Sequence, residues 1–366
     1  MTDADLLALH RAMVAVPSES GREADLCGFV FGYLRKRGAE ARRVGDSVWA
    51  ETGDGPTLCL NSHLDTVPAV PGWTRQPHAP IVEGGRVYGL GSNDAKASAA
   101  AMVAAFLRLR ARVQRLRARV VLALASEEET TGQGTESLLA DLARNGAAPD
   151  AVVVGEPTGL DVAVAQKGLM VLELRAGGQA CHAANARALG AANALRGLAS
   201  DLVALDGVDL GPPHPDLGPV TVEPTLASGG TARNVVPALA TCVLDVRTNP
   251  DPPPAEVLAR LRSAVKGELR VLSDRLGPRQ VDQGDRLVVA ALAARPEARL
   301  FGSRTMSDLT FFTGIPGIKV GPGSTRRSHA PDEYVLESEV LEGARFYERL
   351  FSTWSDAAPT PPWRPS

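Results

Sequence analysis

The side chains best able to hold a metal ion or move a proton stand where apolar runs stop. Leu58-Cys59-Leu60 leads into Asn61-Ser62-His63-Leu64-Asp65, and Pro68 and Pro71 end the stretch. That reads as a buried strand whose carboxyl end opens into a loop. Side chains two apart on a strand share a face, so His63 and Asp65 project the same way. A neutral imidazole is a common metal ligand, and a carboxylate beside it fixes its tautomer. Alone, the pair would suit a satisfied loop histidine beside a turn aspartate equally well, so the decision rests on further ligands.

Further candidates follow. Val120–Ala125 is a second apolar run and stops at Ser126-Glu127-Glu128-Glu129. Three consecutive acids repel one another unless solvent or a cation offsets them, although acids are also stabilised at a helix start. A third run, Ala151–Val154, ends in Gly155-Glu156-Pro157-Thr158. Asp94 lies in the glycine-rich loop Gly89–Lys96, where it enters a helix and an aspartate commonly caps. In open α/β sheets the carboxyl edge of the strands is where ligands bind.

The elements carrying these residues can be traced by period and punctuation. Asp3–Met13 and Arg22–Arg37 read as amphipathic helices, a helix follows Lys96 to about Arg110, and a last one covers Glu337–Phe351. After Lys167-Gly168 the texture changes. Leu169–Arg175 and Thr241–Arg247 alternate like half-exposed strands, with a helix from about Leu189 to Leu205 between them. This predicts a smaller inserted α/β domain, an antiparallel sheet with helices on one face, at 168–275. The first texture returns from about Leu276, so 1–167 and 276–366 form the other domain, with 356–366 as a proline-rich disordered tail.

Composition narrows the function classes. The 366 residues are 44% hydrophobic and 22% charged with net charge −3, ordinary for a globular chain. No global basic excess points to nucleic acid. The six arginines between Arg108 and Arg119 read as a solvated helix end rather than an RNA patch. No signal peptide is evident, and the apolar stretch Ala97–Leu107 is too short to span a bilayer. Four separated cysteines, Cys27, Cys59, Cys181 and Cys242, suit a reduced cytoplasmic protein.

His63-Leu64-Asp65, Asp94 in its loop, Glu128-Glu129, Gly155-Glu156-Pro157-Thr158 and His329 occur in the order seen in co-catalytic zinc aminoacylases and exopeptidases. The chain resembles that family, which includes acetylornithine deacetylase, succinyl-diaminopimelate desuccinylase and zinc carboxypeptidases, from about residue 5 to 352. Asn61-Ser62-His63, Glu127-Glu128-Glu129, Lys167–Leu172 and Arg327-Ser328-His329 are most similar to its acetylornithine deacetylase-like branch. The resemblance implies an α/β fold with a mixed central sheet, flanking helices and an inserted α/β dimerisation lid.

It also implies two zinc ions about 3.5–4 Å apart, with cobalt or manganese able to substitute. His63 and Glu156 would hold one, Glu129 and His329 the other, and Asp94 would bridge them. Asp65 would orient His63, and Glu128 would be the general base. The acid run can be shifted by one, which leaves the jobs within Glu127–Glu129 open; the Gly134-Thr135 spacing favours Glu128. The lid histidine of the family, matched by His182, would stabilise the oxyanion in the partner subunit of a homodimer. Asn234 and Arg247 match positions that bind the substrate carboxylate. One departure is Ala97 after Lys96, where many relatives have glycine; a small residue is kept, so no loss of activity is expected. The implied reaction is removal of an acyl group from a small N-acyl amino acid, foremost N-acetylornithine in arginine biosynthesis. A succinyl-diaminopimelate desuccinylase or dipeptidase is the alternative within the enzyme class, and a silent metal-binding relative the alternative outside it. A succinyl group needs an extra cation, for which Lys167, Arg326 and Arg327 are candidates.

Overall fold

The computed structural model describes residues 1–356; the tail expected to be disordered lies, from residue 357 on, outside the described residues. The chain divides into two compact units. One comprises Met1–Val164, Val281–Phe301 and the chain from Ser307 onward, and the other Ala165–Gln280 with Gly302–Met306.

In the first unit the Thr57–His63 strand lies between the Arg119–Ala125 and Ala151–Val154 strands and runs parallel to both. Gly317–Lys319 continues the parallel set beside Ala151–Val154, while Ser47–Thr52 adds an antiparallel neighbour to Arg119–Ala125. The sheet is therefore mixed. Its central strands read as unbroken apolar runs because both faces are covered. Leu58, Leu60, Val120, Leu122 and Val153 pack into one core with the Lys96–Arg110 and Glu337–Asp356 helices. Their sequence neighbours Cys59, Val121 and Val152 pack on the opposite face with Leu138 and Leu142 of the Gln133–Arg144 helix. Three strands of one direction thus end at one edge, and their acids and histidine end there too.

The Ala-rich stretch is core rather than membrane. Ala97 to Phe106 is fully buried, because small side chains let the helix lie close against its neighbours. Among the described residues no helix is long and apolar enough to cross a membrane. Three of the arginines that follow pair with acids of this unit. Arg108 reaches Asp3 at 2.7 Å, Arg112 reaches Glu348 at 2.8 Å, and Arg119 reaches Glu51 at 3.4 Å.

The second unit is a four-stranded antiparallel sheet in the order Thr221–Gly229, Leu239–Thr248, Gly168–Gly177, Glu268–Leu276. Met170, Leu172 and Leu174 alternate onto one face, where Leu198 and Leu205 of the Ala194–Leu205 helix and Val257 and Leu261 of the Pro254–Ala264 helix cover them. The helix expected from Leu189 starts five residues later. Asn193 supplies the reason, since its side-chain oxygen accepts the N–H groups of Leu195 and Arg196 and caps the first turn there. A separate two-stranded ribbon pairs Cys181–His182 with Val235–Val236.

Candidate metal centre

The Thr57–His63 strand stops at His63, so Asp65 reaches the imidazole by a bend in the loop and not along a shared strand face. The His63 Nδ1 lies 3.1 Å from the Asp65 carbonyl oxygen and 3.4 Å from its Oδ1. Two acceptors on that side put the proton on Nδ1 and leave the Nε2 lone pair for a ligand. Asp65 is fully buried and also accepts Ser20 Oγ at 2.7 Å and the N–H groups of Glu128 and Glu129 at 3.1 and 3.0 Å. One carboxylate therefore ties the first strand end to the second.

The acid run turns sharply at Glu127, which sits at φ 59°, a left-handed conformation uncommon away from glycine. Its carboxylate accepts Thr131 Oγ1 and its carbonyl accepts the Gly132 N–H at 2.7 Å, so Glu127 builds the turn. Gly134 makes the turn possible, because a Cβ there would collide with the Ser126 carbonyl. Glu129 Oε1 then lies 2.8 Å from His329 Nε2. His329 is likewise left-handed, at φ 56°.

Asp94 does not cap the helix it precedes. That helix starts at Lys96 with Ala95 at its cap position and no side-chain cap bond. The Asp94 carboxylate instead lies between the two histidines, Oδ1 3.5 Å from His63 Nε2 and Oδ2 3.8 Å from His329 Nε2. Glu156 Oε1 is 3.8 Å from His63 Nε2. Ligand atoms of His63, Asp94 and Glu129 lie within 4.8 Å of one another, as do those of His63, Glu128 and Glu156.

These residues fit a divalent cation. Contacts of 3.5–3.8 Å are too long for hydrogen bonds. They are close to the roughly 3.3 Å that separates two ligand atoms of a tetrahedral ion with bonds of about 2.0–2.1 Å. Asp94 Oδ1 is buried without a hydrogen-bond partner, and an orphaned buried carboxylate oxygen calls for a cation. The electrostatics agree. Burial, reinforced by the Asp94 charge, pushes Glu156 up to about 8. Burial, with repulsion from Glu156, Asp308 and Glu129, raises Glu128 well above the usual carboxylate range. Contact with Glu129 raises His329 to about 9. A buried excess of carboxylate charge over imidazole is what cations offset. Mixed imidazole and carboxylate donors suit zinc, and also cobalt or manganese.

All these residues belong to the first unit. His182, Asn234 and Arg247 belong to the second. His182 is exposed, and its Nδ1 accepts the Ala184 N–H at 3.2 Å, which puts the proton of a neutral ring on Nε2. Asn234 is beside it in space, its carbonyl accepting the Ala183 N–H at 2.8 Å. Arg247 is forked onto Asp245 through Nε and Nη2 at 2.8 and 3.0 Å. Two of the three cations offered for a succinyl group are committed elsewhere. Lys167 is buried against the Pro219 carbonyl and Asn249, and Arg327 is forked onto Glu339. Only Arg326 of the three has an exposed side chain.

Sequence reasoning passed over three residues around the centre. Ser20 supports Asp65. Asp308, buried beside Thr135 and Asn61, adds charge behind Glu128. Glu333 accepts N–H groups of the Asp94 loop. Glu333 alone carried a readable signal, as an acid four residues after His329 at the start of an apolar run.

The model of peptidase family M20/M25/M40 matches residues 59–353. The succinyl-diaminopimelate desuccinylase of Methylobacterium sp. (strain 4-46) is 30% identical over 97% of this chain and 97% of its own length. The acetylornithine deacetylase of Klebsiella pneumoniae (strain 342) is 27% identical over 93% of this chain and 94% of its own. Among solved structures, the Bacillus subtilis YXEP protein, described as a dinuclear metal-binding peptidase, superposes with a TM-score of 0.73 at 17% identity, covering 97% of this chain and 99% of that one. At that identity the likeness speaks for the fold.

Proposed function

Because the chain belongs to peptidase family M20/M25/M40, metal-dependent hydrolases of amide bonds, we propose that it removes an N-acyl group from an amino acid, foremost N-acetylornithine in arginine biosynthesis. The observation that carries this reading is the Asp94 carboxylate set between His63 and His329, with Glu128, Glu129 and Glu156 around them. His63 and Glu156 would hold one zinc ion and Glu129 and His329 a second, with the Asp94 carboxylate placed between the two histidines. When bound, such a pair supplies Lewis acidity towards the scissile carbonyl and an acidified water.

The chain's own residues do the rest. Asp65 keeps the His63 proton on Nδ1. Glu128 takes the proton of the attacking water and passes it to the leaving amine. The His182 Nε2–H donates to the developing oxyanion in the partner subunit of a homodimer formed through the 168–275 domain. Asn234 and the Nη1 edge of Arg247 receive the substrate carboxylate. Four free cysteines suit a cytoplasmic setting.

The second reading, a succinyl-diaminopimelate desuccinylase, is favoured by the 30% identical relative of that name. Against it stands the engagement of Lys167 and Arg327, which leaves Arg326 for a succinyl carboxylate. A kinetic panel of acetylornithine, succinylornithine, acetyl-lysine, succinyl-diaminopimelate and several dipeptides separates the readings. Acetylornithine is expected to show a kcat/KM at least ~10-fold above the others, about 1.4 kcal/mol of transition-state binding. The highest value on succinyl-diaminopimelate would replace the first reading with the second.

The metal assignment has its own measurement. Protein stripped with a chelator and titrated with zinc is expected to bind up to two equivalents per chain, counted by elemental analysis after desalting. Less than one retained ion at saturating zinc would exclude a resident pair.

A further inference from the structure

The loop that presents Asp94 contains Gly91 at φ 75° and has little regular structure of its own. Such a loop aims a bridging carboxylate only if something holds it. Glu333 is 2% exposed, and its side chain lies inside the loop. Its Oε2 accepts the Gly91 N–H at 3.2 Å, and its Oε1 accepts the N–H groups of Asn93 and Asp94, both at 2.9 Å. The Glu333 carbonyl accepts the Gly89 N–H at 2.9 Å. Three N–H groups converge on the two oxygens of one carboxylate, and an amide, with a single acceptor oxygen, cannot receive all three. His329 stands four residues before Glu333 on the same segment, left-handed at φ 56°.

We propose that Glu333 is a positioning residue for the metal centre, its carboxylate locking the Gly91–Asp94 loop to the segment that carries His329 so that the two Asp94 oxygens face the two histidines. The inference rests on the metal reading above and deepens it. Without the lock, Asp94 and His329 keep their chemistry but lose their common frame. Metal affinity and turnover then fall while substrate affinity, set elsewhere, does not. Other contacts bind the loop less directly. Asn93 exchanges hydrogen bonds with Ser324 at 2.9 and 3.1 Å, and the His10 Nε2 lies 2.8 Å from the Ser92 carbonyl, but neither touches the Asp94 amide.

The test uses the full-length protein and two variants. Glu333→Gln keeps the shape but turns an amide NH2 towards backbone N–H groups, whereas Glu333→Asp keeps the charge on a shorter stem. Zinc dissociation constants by chelator competition, the zinc-induced rise in Tm, and kcat and KM at saturating zinc are measured for each. For Glu333→Gln the expectation is zinc binding ~10–100-fold weaker, a smaller zinc-induced rise in Tm, lower kcat and a KM within about twofold of wild type by the same positioning argument. Glu333→Asp should recover part of the zinc affinity. Unchanged zinc affinity in folded Glu333→Gln would overturn the proposal, and so would failure of both variants to fold, which would make the role one of general stability. A wild-type protein that binds no zinc would overturn the metal reading and this proposal with it. Equal binding by wild type and variant would overturn this proposal alone.

Discussion

Glu128→Gln is expected to lower kcat by ~10²–10⁴-fold while the number of bound metal ions stays at the wild-type value. Glutamine keeps the size and polarity of the side chain but cannot accept a proton from the attacking water. The assignment depends on position within the acid run. Glu127 is spent on its turn, holding Thr131 and the Gly132 N–H. Glu129 lies 2.8 Å from His329, which suits the proposed role of ligand beside that histidine. Glu128 remains, grouped with His63 and Glu156. Paired elemental analysis and kinetics on Glu128→Gln and Glu129→Gln check the choice. If Glu129→Gln kept its metals and Glu128→Gln lost one, base and ligand would have to be exchanged.

What the sequence made legible follows from what periodicity can report. Three unbroken apolar runs were readable because strands covered on both faces leave no polar alternation, and their acids and histidine fall at one edge because the strands are parallel. Membership of a known family was readable because five motifs occurred in register, and the family match over residues 59–353 bears it out. Contacts between distant segments left no local trace. Nothing around Asp65 announces that it receives the amides of Glu128 and Glu129, more than sixty residues away. Nothing around Lys167 announces that it is buried against Pro219 and Asn249, or around Arg327 that Glu339 holds it. All three cations suit a substrate carboxylate by composition, and two of them have partners within the chain that composition does not reveal. Asp94 shows the same limit from the other side. Its sequence position suited a helix cap, the family resemblance suggested a bridging carboxylate instead, and the structure leaves it without a cap bond, between His63 and His329.

His182→Ala is expected to lower kcat by ~10²–10³-fold with little change in zinc content, the usual cost of losing one oxyanion donor. The ring is prepared for that task, since the Ala184 N–H occupies Nδ1 and leaves Nε2 carrying the proton. His182 and every proposed metal ligand fall in different compact units of the chain, and the proposal has the donor serve the other subunit. Mixing His182→Ala with Glu128→Gln tests that arrangement. Random subunit exchange gives about half heterodimers, and each heterodimer has one site with an intact base from one chain and an intact donor from the other. The second site of the same heterodimer lacks both. The mixture should therefore approach roughly a quarter of wild-type activity per chain by the same symmetry, although each parent alone is nearly inactive. Exchange is verified with differently tagged chains recovered together. If tagged heterodimers form and activity stays at the level of the parents, the donor does not act in trans, and His182 serves its own chain or none.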